Sequence, residues 1–323
     1  MNFKRIAFLL LCIIFIGAVV PPKGGNKKQL KILLISDLND SYGTVGYSSE
    51  VHDLIGRIKD IHPDLILCAG DMVAGQKRSL TPEQLDAMWE GFRKEVLDPI
   101  AELKIPFAFT VGNHDASPGF ENDRAAAAKF WNENRGKTNL QYSDSSHFPY
   151  YYSFVSNNIF FISWDASSAT VPEEVKTWMK KELTSPMAGK AASRIVLGHL
   201  PLYAIVESKN KPGEVIHQAD EMREFLQGLK VDMYISGHQH SFYPAYKNDL
   251  LLLHTGCLGG GPRPLIGHQE EGYKAYAILE IPRKGGIKKA GITGFRALNH
   301  QPVNISLLPD SVTGFNGTVY KLQ

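Results

Sequence analysis

An α/β architecture with two sheets packed as a sandwich and flanked by helices is what this chain leads one to expect. Its first half alternates short runs of bulky apolar residues with stretches whose apolar positions recur at helical spacing, while its last third reads mainly as strands. Five of the apolar runs also end in polar tips: Asp37-Leu38-Asn39, Gly70-Asp71, Gly112-Asn113-His114-Asp115, Gly198-His199 and Gly237-His238-Gln239-His240. Loops at the carboxyl edge of an α/β sheet are where ligands usually sit.

The elements follow in order. Residues 30–36 form the first strand and deliver Asp37 into a polar loop that runs to Tyr47. Val51, Leu54, Ile55, Ile58 and Ile61 mark a helix, and residues 64–69 form a second strand ending at Gly70. Strand, helix and strand with acidic tips on one edge make a βαβ unit. Thr81-Pro82-Glu83 opens a helix expected to run to about Leu103; the strand at 105–111 puts the Gly112 quartet in a loop, and 120–134 is a further helix. Runs at 150–155 and 159–164, joined by Asn157-Asn158, read as a hairpin, with Tyr150 to Tyr152 alternating across it. Thr170-Val171-Pro172-Glu173 resembles a capped helix start with an apolar stripe of Val175, Trp178, Met179 and Leu183, and this helix leads to a strand at 193–197. Another helix near 220–229 precedes the strand 231–236. Strands then follow at 249–255, 273–281, 292–297 and 318–322.

Composition sets the outer limits. The chain has 323 residues, 43% hydrophobic, enough to bury a core without staples, and residues 29–323 read as a single domain. Its 35 basic and 33 acidic residues leave a net charge of +2, so there is no general pull toward nucleic acid, and any anionic ligand needs a local site. Lys4 and Arg5 precede a short apolar stretch from Ile6 to Val20, followed by Pro21-Pro22-Lys23. That pattern in segment 1–28 is an export signal, with an uncleaved membrane anchor as the alternative, and it places the protein in the periplasm or outside the cell. Cys12 lies inside the signal, while Cys68 and Cys257 are expected to be free or packed.

Two aspartates, Asn39, Asn113 and three histidines at the strand tips supply oxygen and nitrogen donors with no thiolate, a set suited to Mn, Fe, Zn or Mg. In these five motifs, in this order over about residues 30–264, the chain resembles the calcineurin-like metallophosphoesterases. The resemblance implies a four-layer α-β-β-α sandwich with two mixed sheets, the metal site at the carboxyl ends of the strands, and a dinuclear hydrolase of phosphomonoesters or phosphodiesters. By the same resemblance, Asp37, Asp71 and His240 hold one divalent ion, and Asp71, Asn113, His199 and His238 the other. A hydroxide between the ions would be the nucleophile, His114 would protonate the leaving oxygen, and Asp115 would orient the His114 imidazole.

Two departures shape the expectation. The family's first motif is usually Asp-x-His, and here it is Asp37-Leu38-Asn39, whose amide is either a weaker ligand or only positions a water; the oxygen-richer site leans toward Mn or Mg rather than Cu. Met72-Val73-Ala74 stand where purple acid phosphatases carry a tyrosine, so a tyrosinate-bound ferric ion is not expected. For substrate contact, Tyr42 could stack on a base or sugar and Arg263, in the glycine-rich stretch after His254, could meet a phosphate oxygen. Tyr47 either stacks likewise or packs, and His254 is read as a packed side chain or a partner of a ligand. The expected partner is a small phosphorylated substrate. The other class to weigh is a metal-containing binding module without turnover, which Asn39 favours and the retained His114 and Asp115 oppose.

Overall fold

The computed structural model describes residues 29–322 apart from 269, 270 and 285. The export segment and Cys12 therefore lie outside the described residues. Among the described residues, fourteen strands form two mixed sheets. In chain order they are β1 (Gln29–Ile35), β2 (Leu65–Cys68), β3 (Phe107–Phe109), β4 (Tyr142–His147), β5 (Tyr151–Ser156), β6 (Ile159–Ser163), β7 (Ser193–Leu197) and β8 (Met233–Ser236). They continue with β9 (Phe242–Lys247), β10 (Leu250–Thr255), β11 (Ala275–Pro282), β12 (Gly291–Arg296), β13 (Ser311–Gly314) and β14 (Gly317–Lys321). The smaller sheet runs β12-β11-β1-β2-β3, and the larger β13-β14-β9-β10-β8-β7-β6-β5-β4. At their centres β1-β2-β3 and β6-β7-β8-β10 are parallel, with antiparallel strands outside them.

Strand periodicity explains the layering. Ile195 and Leu197 of β7, and Met233 and Ile235 of β8, join Ile32, Leu34 and Leu67 of the small sheet in one apolar core. The residues between them, Val196 and Tyr234, point to the opposite face and join a second core with Trp178, Met179, Met222 and Leu226. Those last four belong to helices α6 (Glu173–Leu183) and α8 (Ala219–Gly228), described here with α1 (Ser49–Ile61), α2 (Pro82–Phe92), α3 (Asp98–Glu102), α4 (Asn113–Ala116), α5 (Glu121–Asn134) and α7 (Pro186–Lys190). Val51, Leu54 and Ile58 of α1, Trp89 of α2 and Trp131 of α5 pack into the first core. The result is the expected order of helices, small sheet, large sheet, helices.

Local sequence accounts for most boundaries. Thr81 accepts from the Gln84 backbone amide while the Gln84 side chain accepts from the Thr81 amide, a reciprocal cap at the start of α2. Asn157 and Asn158, at φ 48° and 65°, close the β5-β6 turn in the conformation that matches strand twist. Tyr151 and Tyr152 do alternate, each facing a different core.

Three expectations need correction. The helix expected from 81 to 103 is interrupted by a wide π turn at Arg93–Leu97 before α3. Pro99 is the physical reason: it lacks an N–H, and its ring would collide with the carbonyl four residues back, at Glu95 within that turn. The Gly112 quartet is not a simple loop, because Asn113–Ala116 form the single turn α4. Finally, β4, β9 and β13 are strands that the sequence pattern did not single out; β9 contains Pro244, which reads as a strand breaker.

Candidate functional site

All five polar tips converge where the carboxyl edges of the two sheets meet. Asp37 follows β1, Asp71 follows β2, Asn113 follows β3, His199 follows β7, and His238 and His240 follow β8. One donor atom each from Asp37, Asp71 and His240 lie within 4.8 Å of one another, as do donors from Asp71, His199 and His238. Asp71 belongs to both groups. The two sheets are stitched by the His238 backbone amide, which donates to Asp37 Oδ2 at 3.0 Å, and by His199 Nδ1, which donates to the Ala69 carbonyl at 2.7 Å.

The backbone is bent hard to achieve this. Asp37, Asp71, His238 and His240 all occupy the left-handed region, with φ of 51°, 54°, 66° and 56°. Such positions cost about 1–3 kcal/mol each for residues other than glycine and concentrate at functional sites. Gly70, at φ 93°, removes a further obstacle: a Cβ there would lie 2.6 Å from His199 Nδ1 and 2.9 Å from the Gly112 backbone.

Two of the three imidazoles, His199 and His240, are fixed by a carbonyl on Nδ1, so Nε2 faces the cluster. His199 gives Nδ1–H to Ala69 and turns Nε2 to within 3.0 Å of Asn113 Oδ1 and 3.3 Å of Asp71 Oδ2. His240 gives Nδ1–H to the Gly261 carbonyl and sets Nε2 3.2 Å from Asp37 Oδ1. Asn113 is itself oriented, its Nδ2 donating to Gln76 Oε1 at 2.7 Å. This kind of outer support defines which ring atom is free to act as a ligand.

Electrostatics follow the pairing. Burial would raise the Asp37 carboxyl, but the charge of His240 and its hydrogen bond prevail and hold it below the usual range. Asp71 behaves alike: burial opposes ionisation, yet His199 and His114 keep its pKa well below the ordinary carboxylate value. His199 is fully buried, which disfavours its charge, but Asp71 overcomes this and raises it to about 9. His238 goes the other way, held well below the usual imidazole range by burial and then by the Lys209 ammonium.

The His114 ring stands at the edge of the cluster, with Nε2 3.9 Å from Asp71 Oδ2 and Nδ1 donating to the Gly75 carbonyl at 3.2 Å. Here the sequence reading is corrected: Asp115 does not orient that imidazole. Its Oδ1 accepts from the Met72 and Val73 amides and its Oδ2 from the Gly112 amide, so it braces the loop after β2 against the start of α4. Burial and the neighbouring Asp71 charge push the Asp115 carboxyl up to about 7, against the pull of those amides. Its position at the third residue of a one-turn helix directs the carboxylate back to the helix start, away from the preceding side chain.

The remaining expected residues divide. Asn39 is largely buried, its backbone N–H donating to the Asp71 carbonyl at 3.3 Å. Tyr42 is about half exposed, with its ring centroid 5.1 Å from that of His114, and Arg263 donates from Nη1 to the His238 carbonyl at 3.3 Å. Tyr47 packs, donating to the Met72 carbonyl. His254 is a packed side chain whose two ring nitrogens have no hydrogen-bond partner among the described residues, and Cys68 and Cys257 are free and buried. Three residues with no sequence signal also join the site: Gln76, Lys209 and Glu214. Lys209 Nζ lies 3.1 Å from His238 Nδ1, and Glu214 Oε2 lies 2.8 Å from His238 Nε2. Both come from the irregular segment after His199, where nothing in spacing or composition distinguishes them from other surface charges.

The family model described as calcineurin-like phosphoesterase matches residues 30–242, the stretch that contains all five tips. No curated protein matches the sequence. Among solved structures, the fold resembles the purple acid phosphatase PPD1 from yellow lupin (Lupinus luteus) seeds, at 14% identity and a TM-score of 0.62. That match covers 85% of this chain and 52% of the phosphatase, so the chain spans about half the length of that relative. It also resembles GAP50, the anchor in the inner membrane complex of Plasmodium, at 16% identity and a TM-score of 0.59, covering 92% of this chain and 89% of that one. At these identities the likeness is one of fold. The family match over more than half of the sequence, together with the converging motifs, makes the assignment: this chain belongs to the calcineurin-like phosphoesterase family.

Proposed function

We propose that the protein is a phosphoesterase that hydrolyses a small phosphorylated substrate, monoester or diester, with two divalent ions. The observation that carries this reading is the sharing of Asp71 between two groups of buried carboxylate and imidazole donors. The donor set fits the ions: it holds no thiolate, mixes hard oxygen with imidazole nitrogen, and has its histidine tautomers fixed from outside. Asp37, Asp71 and His240 would hold one ion, with Asn39 beside them, and Asp71, Asn113, His199 and His238 the other. Manganese is the first choice, with iron, zinc or magnesium as alternatives. Bound there, the ions would supply Lewis acidity toward a phosphoryl oxygen and bring the pKa of water down toward about 7.

The chain's own residues supply the rest. His114 gives Nδ1–H to Gly75, which leaves Nε2 facing the cluster; in the imidazolium form Nε2 carries the second proton, the one that can pass to a leaving oxygen. Tyr42, exposed beside it, offers a surface for the leaving group, and Arg263 a guanidinium for a phosphate oxygen. Asp115 keeps the loop after β2 and α4 in register, and so acts as a positioning residue. The export pattern of residues 1–28 assigns this chemistry to the periplasm or the cell exterior, after signal cleavage or on a membrane tether.

A second reading, a metal-holding binding module without turnover, is favoured by the Lys209 ammonium lying against His238. The two readings part in a single experiment. Metal content of protein purified without chelators is measured alongside manganese-dependent turnover of an aryl phosphate and its bis-aryl diester. Two ions per chain with turnover is the expected result; bound ions with no turnover of either ester in excess manganese would favour the binding module.

A further inference from the structure

The three imidazoles of the cluster differ in what they face. Among the described residues, His199 and His240 have only carbonyl, amide or carboxylate oxygens at their ring nitrogens. His238 has a cation. Glu214 Oε2, 2.8 Å from His238 Nε2, can only accept, so Nε2 carries the ring proton and Nδ1 carries the lone pair. Lys209 Nζ, 3.1 Å from that Nδ1, can only donate. At 3.1 Å and 3.2 Å from the two ring nitrogens, the ammonium stands over the imidazole ring and not in line with the Nδ1 lone pair. Glu214 also lies 3.6 Å from the same ammonium, so the three side chains form a closed, mostly buried set.

From this arrangement we infer that Lys209 is a built-in electrostatic competitor for one of the two cation positions, its ammonium held 3.1 Å from the His238 nitrogen that would complete the Asp71-His199-His238 group. The inference rests on the reading of that group as a metal position. A divalent ion taking that lone pair would face an ammonium a few ångströms away in a place shielded from water, where like charges repel strongly. The Asp37-Asp71-His240 group has no such cation on its histidine, whose ring partners are the Gly261 carbonyl and Asp37. The centre therefore fills unequally: one ion binds readily, and the other binds only as Lys209 swings away toward the rim, where Glu214 can keep the ammonium paired. This makes Lys209 and Glu214 a device that sets the metal concentration at which the centre is complete.

The test is a manganese titration of the full chain by calorimetry, with the bound ions counted by elemental analysis after dialysis. Wild-type protein should show two unequal binding events. Lys209→Met, which keeps the length and removes the charge, should tighten the weaker event at least about tenfold and leave the stronger one within about twofold. Lys209→Gln should do the same, and serves if the methionine variant does not fold; Lys209→Arg should keep the events far apart. Two equal events in wild type, or a weaker event unmoved in both uncharged variants, would overturn the inference while leaving the metal centre intact. Absence of any bound manganese in wild type and variants alike would overturn the metal-centre reading, and this inference with it.

Discussion

The two sheets contribute different chemistry to their common edge. The small sheet supplies oxygen: Asp37, Asp71 and Asn113 follow three neighbouring parallel strands. The large sheet supplies nitrogen: His199, His238 and His240 follow two neighbouring parallel strands. Neither edge alone brings carboxylates and imidazoles within reach of one another. Each candidate metal group draws on both, so the site is a property of how the sheets pack. The same contacts serve as sheet-to-sheet fasteners, since His199 bonds to Ala69 and the His238 amide to Asp37. Function and the docking of the two layers are thus coupled through one row of residues.

That contrast can be broken most severely at Asp71, the one donor common to both groups. Asp71→Asn is expected to abolish binding of both ions and all measurable turnover; elemental analysis that still counted two ions per chain would contradict the sharing. Next in size is His114→Ala, which leaves the oxygen and nitrogen sets whole. Turnover should fall by roughly 10²–10⁴ while metal content stays unchanged, the signature of a lost proton donor. Equal loss of metal and turnover would instead make His114 part of the donor set.

The smallest effect separates the edge of the large sheet from its interior. His254, in β10, is buried with no partner for either ring nitrogen, and burial lowers its pKa to about 3. In the unfolded chain the value is the ordinary 6.5, so between these values the unfolded state binds the extra proton. The stability at stake is complete above the unfolded value and is lost as pH falls toward the folded one. Urea unfolding at about pH 7 and about pH 5 should show His254→Leu gaining on wild type by about 2 kcal/mol at the lower pH. Parallel pH dependence of the two proteins would mean that His254 stays neutral in both states or is solvated in the fold.

Much of this was legible along the chain because its signals are local. Alternating apolar runs mark strands that must bury one or both faces, a capped segment such as Thr81–Gln84 starts a helix, and glycine before Asp or His marks a sharp turn at a strand end. The break at Arg93–Leu97 was also written locally, in Pro99, but its form as a wide turn was not. What escaped were strands whose identity comes from a neighbour: β9 contains a proline, yet β10 on one side and β14 on the other hold it in the sheet.

For the site the division is clearer still. Residue type and order determined the candidate donors, because few side chains can serve as ligands and the five tips each carry one or two. Tertiary structure decided which nitrogen of each histidine faces inward, that Asp115 braces the loop after β2 while Gly75 holds the His114 ring, and that Lys209 and Glu214 flank His238. These are contacts between residues far apart in the chain, made by side chains whose types are common on any surface. A sequence records what each residue can donate or accept; only the folded distances say to whom.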